Sequence, residues 1–189
     1  MGTMHRSLLS FLVVAMLMSA VGSAAAAEVV RLRVEDSIQP ASQRFIERGL
    51  TEADDRNADL VVIEMDTPGG LLDTTRDLTT AITESDVPVA IWVTPGGARA
   101  ASAGFFLLMS ADIAVMAPGT NTGAASPVGG QGEEINETMK AKVFNDAEAM
   151  MRSLAEQRGR NVEKAVATVS EALSYTADEA LEYGLIDLV

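Results

Sequence analysis

Two apolar, β-branched runs each break at a proline followed by two glycines, and this pattern narrows the folds open to the chain. Leu60-Val61-Val62-Ile63-Glu64-Met65 leads into Thr67-Pro68-Gly69-Gly70, and residues 87–94 lead into Pro95-Gly96-Gly97. A helix-like stretch, residues 71–84, lies between them. Strand, helix, strand predicts a β-α-β unit, hence a parallel sheet with right-handed crossovers. The nearly continuous apolar run at 60–65 predicts a strand covered on both faces. Both glycine pairs are then expected at the C-terminal ends of neighbouring strands, where such sheets bind ligands.

The remaining chain extends the same pattern. Val29-Val30-Arg31-Leu32-Arg33-Val34 alternates as a strand. Residues 41–56 read as a helix with Phe45, Ile46, Leu50 and Ala53 toward the core. A short helix at 102–110 and a short strand, Ile113-Ala114-Val115-Met116, follow the second glycine pair. Residues 117–136 form a Gly/Ser/Thr/Pro-rich loop, of a length that often serves function. A long helix at 137–158 carries Met139, Val143, Ala147, Met150 and Leu154 as its stripe, and residues 162–173 form another helix. Thr176 with Glu179 three residues on is a capping-box start for a last helical turn. Residues 185–189 read as a closing strand.

Ser102 sits among small residues, Gly96-Gly97-Ala98-Arg99-Ala100-Ala101-Ser102-Ala103-Gly104, where a strand gives way to a helix. Small neighbours admit a substrate backbone, and a helix start offers free N–H groups to an oxyanion. The plainer reading is a tight turn with Ser102 as an ordinary helix N-cap.

Composition restricts the chemistry. With 189 residues and 48% hydrophobic content the chain suits one domain with a real core. A formal charge of −13, spread along the chain, argues against nucleic acid as a partner. No cysteine is present, which removes thiol nucleophiles, disulfides and thiolate metal sites. Residues 1–27 read as an export signal: His5 and Arg6, an apolar core from 8 to 20, and small residues ending in Ala25-Ala26-Ala27. The alternative is an uncleaved anchor, since residues 7–27 are uncharged. The domain is then residues 28–189, outside the cytoplasm, in the periplasm or another extracytoplasmic space. Cleavage removes His5, the only histidine. A Ser-His-Asp triad and histidine-ligated metal are then impossible, no cofactor is expected, and the base for Ser102 must be Lys, a carboxylate or Tyr.

Three lysines remain: Lys140, Lys142 and Lys164. Lys164 lies on a later amphipathic helix and reads as solvated. A lysine acts as a base only when neutral, which takes an apolar pocket that lowers its pKa from ~10.4 toward ~7–8. Met139, Val143 and Phe144 are the residues at hand for that pocket. Periodicity does not choose between Lys140 and Lys142, and both also fit a snorkelling surface lysine.

Asp66-Thr67-Pro68-Gly69-Gly70, Ala100-Ala101-Ser102-Ala103-Gly104 and Met116-Ala117-Pro118-Gly119-Thr120 with Gly123-Ala124-Ala125 resemble the N-terminal protease domain of the NfeD family. Ser153-Leu154-Ala155-Glu156, Gly159-Arg160-Asn161 and residues 176–184 are similar too. These are Clp-class, stomatin-associated membrane serine proteases. The resemblance implies an α/β, Clp/crotonase-like spiral of β-α units around a parallel sheet. It implies a Ser–Lys dyad, with Ser102 as nucleophile and Lys142 rather than Lys140 as base. Gly70, with Gly69 beside it, and Ala103 match the oxyanion-hole positions. Ser126 stands about where the Clp peptidases carry their histidine. The expected activity is an endopeptidase cutting apolar segments of polypeptides through an acyl-enzyme. The expected partners are a stomatin-like membrane protein and further copies of the chain, as a dimer or larger homo-oligomer. Two other readings share the sequence features: a protease-like binding module that cuts slowly or never, and a crotonase-type acyl-CoA enzyme.

Overall fold

The computed structural model describes residues 26–128 and 136–189. The expected export signal therefore lies outside the described residues, apart from its last two. Four parallel strands form the main sheet: β1 (Val29–Val34), β2 (Leu60–Met65), β3 (Val89–Val93) and β5 (Ile113–Met116), side by side in that order. Helix α1 (Pro40–Asp55) joins β1 to β2, and α2 (Leu72–Thr83) joins β2 to β3. A short strand, β4 (Arg99–Ala101), and helix α3 (Ala103–Ser110) join β3 to β5. The β-α-β reading is correct, and Met65 and Val93 stand in register at the strand ends, so both Pro-Gly-Gly breaks leave the same sheet edge.

Strands that follow one another in space and in sequence, all with right-handed crossovers, place their connecting helices on one face. The helices α1, α2 and α3 pack there, over Val30, Leu32 and Val34 of β1 and Val61, Ile63 and Met65 of β2. Among the described residues the opposite face is open. This corrects the expectation that Leu60–Met65 is covered on both sides. Leu60 and Val62 are half-buried, Arg31 and Arg33 are exposed, and Glu64 is held by Arg31 at 2.7 Å. The apolar side chain of Trp92 also stands on the open face, 38% exposed.

A second sheet departs from the sequence expectation. Strands β4, β6 (Asn121–Gly123) and β7 (Ser174–Thr176) pair in the order β4-β6-β7, with β6 parallel to β4 and antiparallel to β7. β6 lies inside the stretch read as a structureless loop. Three-residue strands without alternation leave no periodic signal. Residues 129–135 of that stretch lie outside the described residues. The closing strand is also corrected: the C-terminus makes a single bridge, Leu188 to Val115.

The long helix α4 (Glu137–Gln157) buries Ala147, Met151, Leu154 and Ala155 and leaves its first turns outside the core; Met139 is 50% exposed. Phe45, expected in the core, is likewise exposed, whereas Ile46, Leu50 and Ala53 are buried. Helix α5 is Val162–Ser170 and α6 is Ala177–Glu182. Among the described residues no helix is long and apolar enough to cross a membrane.

The capping box of α6 is present: the Glu179 carboxylate accepts from the Thr176 N–H and hydroxyl, each at 2.9 Å. These bonds favour the ionised form and lower the Glu179 pKa below its ordinary 4.5. A carboxyl with a lowered folded pKa stabilises above its unfolded pKa, and the contribution disappears as pH falls through the folded value. Glu179→Gln should therefore be less stable than wild type at neutral pH, and the two should converge in acid, once the pH is below the lowered folded value. Urea titrations at both pH values check this; a constant difference would contradict it.

Candidate active site

Ser102 sits where β4 ends and α3 begins. Its N–H donates to Gly123 O at 2.8 Å, and its carbonyl accepts from Phe105 N at 2.9 Å. The backbone there has φ 51 and ψ −115, a conformation that L-residues rarely adopt. Such a turn costs on the order of 1–3 kcal/mol and is found where function holds it in place. Ser102 occupies the N-cap position, yet its hydroxyl makes no capping bond. The ordinary N-cap reading is thus not what the structure contains. Behind the serine, every residue of α3 is buried, so the helix is a fixed core element.

The first Pro-Gly-Gly turn lies against this serine. A side chain built at Gly69 would place its Cβ 2.8 Å from Ser102 Cβ and 3.2 Å from Ser102 Oγ. Gly69 also has φ +124, so both space and backbone require glycine. Gly70 forms a parallel bridge with Ile38 in which Ile38 N–H donates to Gly69 O at 2.8 Å and Leu71 N–H donates to Ile38 O at 2.9 Å. The bonds go to the residues flanking Gly70, so its own N–H points away from Ile38. Among the described residues, neither Gly70 N–H nor Ala103 N–H donates to the protein. Gly69 N–H, in contrast, donates to Thr67 Oγ1 at 3.2 Å. The second glycine pair is elsewhere: Gly97 N–H donates to Gly119 O in a plain turn.

Lys142 is exposed on the first turns of α4, with Val143 and Phe144 half-buried beside it and Lys140 exposed as well. The single chain therefore does not form the dry pocket expected around Lys142. Lys164 is not freely solvated: its Nζ lies 4.7 Å from the centre of the Tyr183 ring. Ser126 donates to Val169 O at 2.5 Å, so its hydroxyl is engaged in structure.

Two residues, one at the serine and one at the other end of its helix, escaped the sequence reading. One is Thr67. The other is Arg160, whose guanidinium donates to Leu108 O, Met109 O and Ala111 O, each at 2.9 Å, at the far end of α3. The glycine pair after Thr67 was a signal for the first; a lone arginine in the link between α4 and α5 offers none.

A parallel sheet with one-sided crossovers, and a serine at a strained strand-to-helix turn, define an α/β chain of Clp-like fold. Residues 28–188 match the family model of the NfeD1b N-terminal domain, and the chain belongs to that family. It is 37% identical over 188 residues to the membrane-bound protease PH1510 of Pyrococcus horikoshii, covering 98% of this chain and 42% of the relative. It is 34% identical to the membrane protein NfeD1b of Bacillus subtilis, over 80% of this chain and 36% of the relative. The chain thus spans about two fifths of these relatives' length or less. Among solved structures it resembles 1510-N, a membrane-bound stomatin-specific protease, in a serine-to-alanine variant: TM-score 0.79, 35% identity, 87% of this chain and 80% of that one. A lysine-to-alanine variant of 1510-N in complex with a substrate peptide gives TM-score 0.81 at 35% identity, over 87% of this chain and 76% of that one.

Proposed function

We propose that this chain is the catalytic domain of a serine endopeptidase in which Ser102 is the nucleophile and Lys142 the general base. The observation that carries the reading is the uncapped Ser102 hydroxyl, held at a strained turn against Gly69. Neutral Lys142 takes the Ser102 proton as Oγ attacks a peptide carbonyl. Gly70 and Ala103 N–H groups receive the oxyanion, and Gly69 supplies the clearance. The lysine returns the proton to the leaving amine, and water, activated by the same lysine, releases the acyl group. One relative, 1510-N, solved once with a serine and once with a lysine replaced by alanine, supports this pair of residue types.

The substrate in this reading is an apolar polypeptide segment, and its source a stomatin-like membrane protein, after the relative that is named for that specificity. Exposed Met139 with half-buried Val143 and Phe144 offers the apolar surface. A segment lying there excludes water from Lys142, which the single chain leaves wet. The domain works outside the cytoplasm near a membrane, in a homo-oligomer.

Only the neutral amine accepts a proton, so turnover should rise with pH. Lys142→Arg should lose activity by orders of magnitude, because guanidinium stays charged, while Lys140→Ala keeps most of it. The experiment is a set of pH–rate profiles on one apolar peptide, with fluorophosphonate labelling mapped by mass spectrometry. An active Lys142→Arg enzyme, or labelling at a residue other than Ser102, would overturn the assignment.

A further inference from the structure

The buried polar groups around Ser102 include one side chain that the chemistry above does not use. Thr67 is fully buried, two residues past the end of β2, and it touches three separate parts of the site. Its hydroxyl donates to Gly69 O and accepts from Gly69 N–H, both at 3.2 Å. Its backbone joins the strand that delivers the serine: Thr67 N–H donates to Arg99 O at 2.7 Å, and Ala101 N–H donates to Thr67 O at 3.1 Å. Its methyl group lies against the first turn of α3, where a Cβ added at Gly104 would come within 2.5 Å of Thr67 Cγ2. Glycine at 104 is thus what lets the helix start settle onto this methyl.

We infer that Thr67 is a positioning residue that sets the distance between the two N–H donors of the oxyanion site, Gly70 and Ala103. Those donors belong to different segments, the glycine turn and the start of α3. Thr67 is bonded to the residue before one donor and packed on the residue after the other. Donors for a developing oxyanion act only when held within a few tenths of an ångström of their place. Backbone groups on a turn have no side-chain rotamer to lock them, so a buried hydroxyl on the turn serves instead. The inference rests on the protease reading above.

Thr67→Val keeps the shape and methyl but removes the hydroxyl. The expected result is a fall in kcat of about 10- to 1000-fold, up to the range for loss of one oxyanion donor, with KM changed less than about twofold. Thr67→Ser keeps the hydroxyl and should recover most of the lost kcat, although it too loses packing. Thr67→Ala lacks both groups and should resemble valine in kcat; the serine–alanine comparison carries the test if the valine variant does not fold. A merely structural role would lower melting temperature in the serine and alanine variants without separating their kcat values. Equal kcat in Thr67→Ser and Thr67→Ala, or wild-type kcat in Thr67→Val, would overturn the inference. Ser102→Ala is assayed in parallel. If it is inactive while Thr67→Val is fully active, only the positioning role falls; if Ser102→Ala itself cleaves, the protease reading falls and the inference with it.

Discussion

Ser102→Ala is expected to lower peptide hydrolysis by about 10⁴-fold or more, the scale seen when a nucleophile acting with its base is removed. The same change should leave the melting temperature nearly unmoved. The lost hydroxyl makes no capping bond, and alanine fits the space that serine fills. Activity and stability therefore separate cleanly at this position. Ser102→Gly extends the test, because glycine adopts φ 51 and ψ −115 without the strain that serine and alanine share there. The glycine variant should be equally inactive and should melt above the alanine variant. Hydrolysis of one apolar peptide and thermal unfolding of the three proteins give both readings. Wild-type cleavage by either variant would remove Ser102 from the chemistry. A glycine variant less stable than the alanine one would show that the turn is not strained.

The largest loss of stability is expected at Arg160, far from the serine but at the other end of its helix. The Arg160 side chain is 4% exposed, and its guanidinium donates to Leu108, Met109 and Ala111 carbonyls and, at 3.2 Å, to Asp187. The last carbonyls of a helix have no partner within it, and here the helix end is buried. Burial lowers the Arg160 pKa and Asp187 opposes the shift, so the side chain stays a cation held by its acceptors. Beside it, Arg158 donates to Ser110 O at 2.8 Å and pairs with Asp112. Arg160→Met fills similar volume but leaves three buried carbonyls unpaired. The expected cost is about 3–5 kcal/mol, a large share of the ~5–15 kcal/mol that holds a domain folded. Arg160→Lys keeps the charge without the fork and should fall between the two. Urea unfolding of the three proteins measures this. A loss below about 1 kcal/mol for the methionine variant would show that the α3 end does not depend on this residue.

What the sequence made legible follows from which residues carry a pattern. The main sheet was readable because Leu60–Met65 and Val89–Val93 are long apolar runs closed by Pro-Gly-Gly, and the helix between them has a buried stripe. Its one-sidedness was not readable. Val62 and Trp92 are as apolar as their buried neighbours, and only strand order reveals that no helix among the described residues covers them. The small sheet was hidden because β4 and β6 are Arg-Ala-Ala and Asn-Thr-Gly, pieces that pair through backbone alone. Ser102 and the glycine turn stood out through their small neighbours. Thr67 did not, since a threonine before Pro-Gly-Gly looks like part of the turn until its methyl is seen on Gly104. For Lys142 the sequence supplied apolar neighbours, but the fold places them at the end of a helix that reaches beyond the core.

The open face of the main sheet has a practical consequence. Trp92 is the chain's only tryptophan, and it stands in register between Glu64 and Val115, on the side away from α3. Its fluorescence therefore reports on that face and not on the surroundings of Ser102. A blue shift on adding a second protein, with Ser102 already blocked, would signal that something has settled on the sheet. A native optical probe thus separates association from turnover without a label being attached.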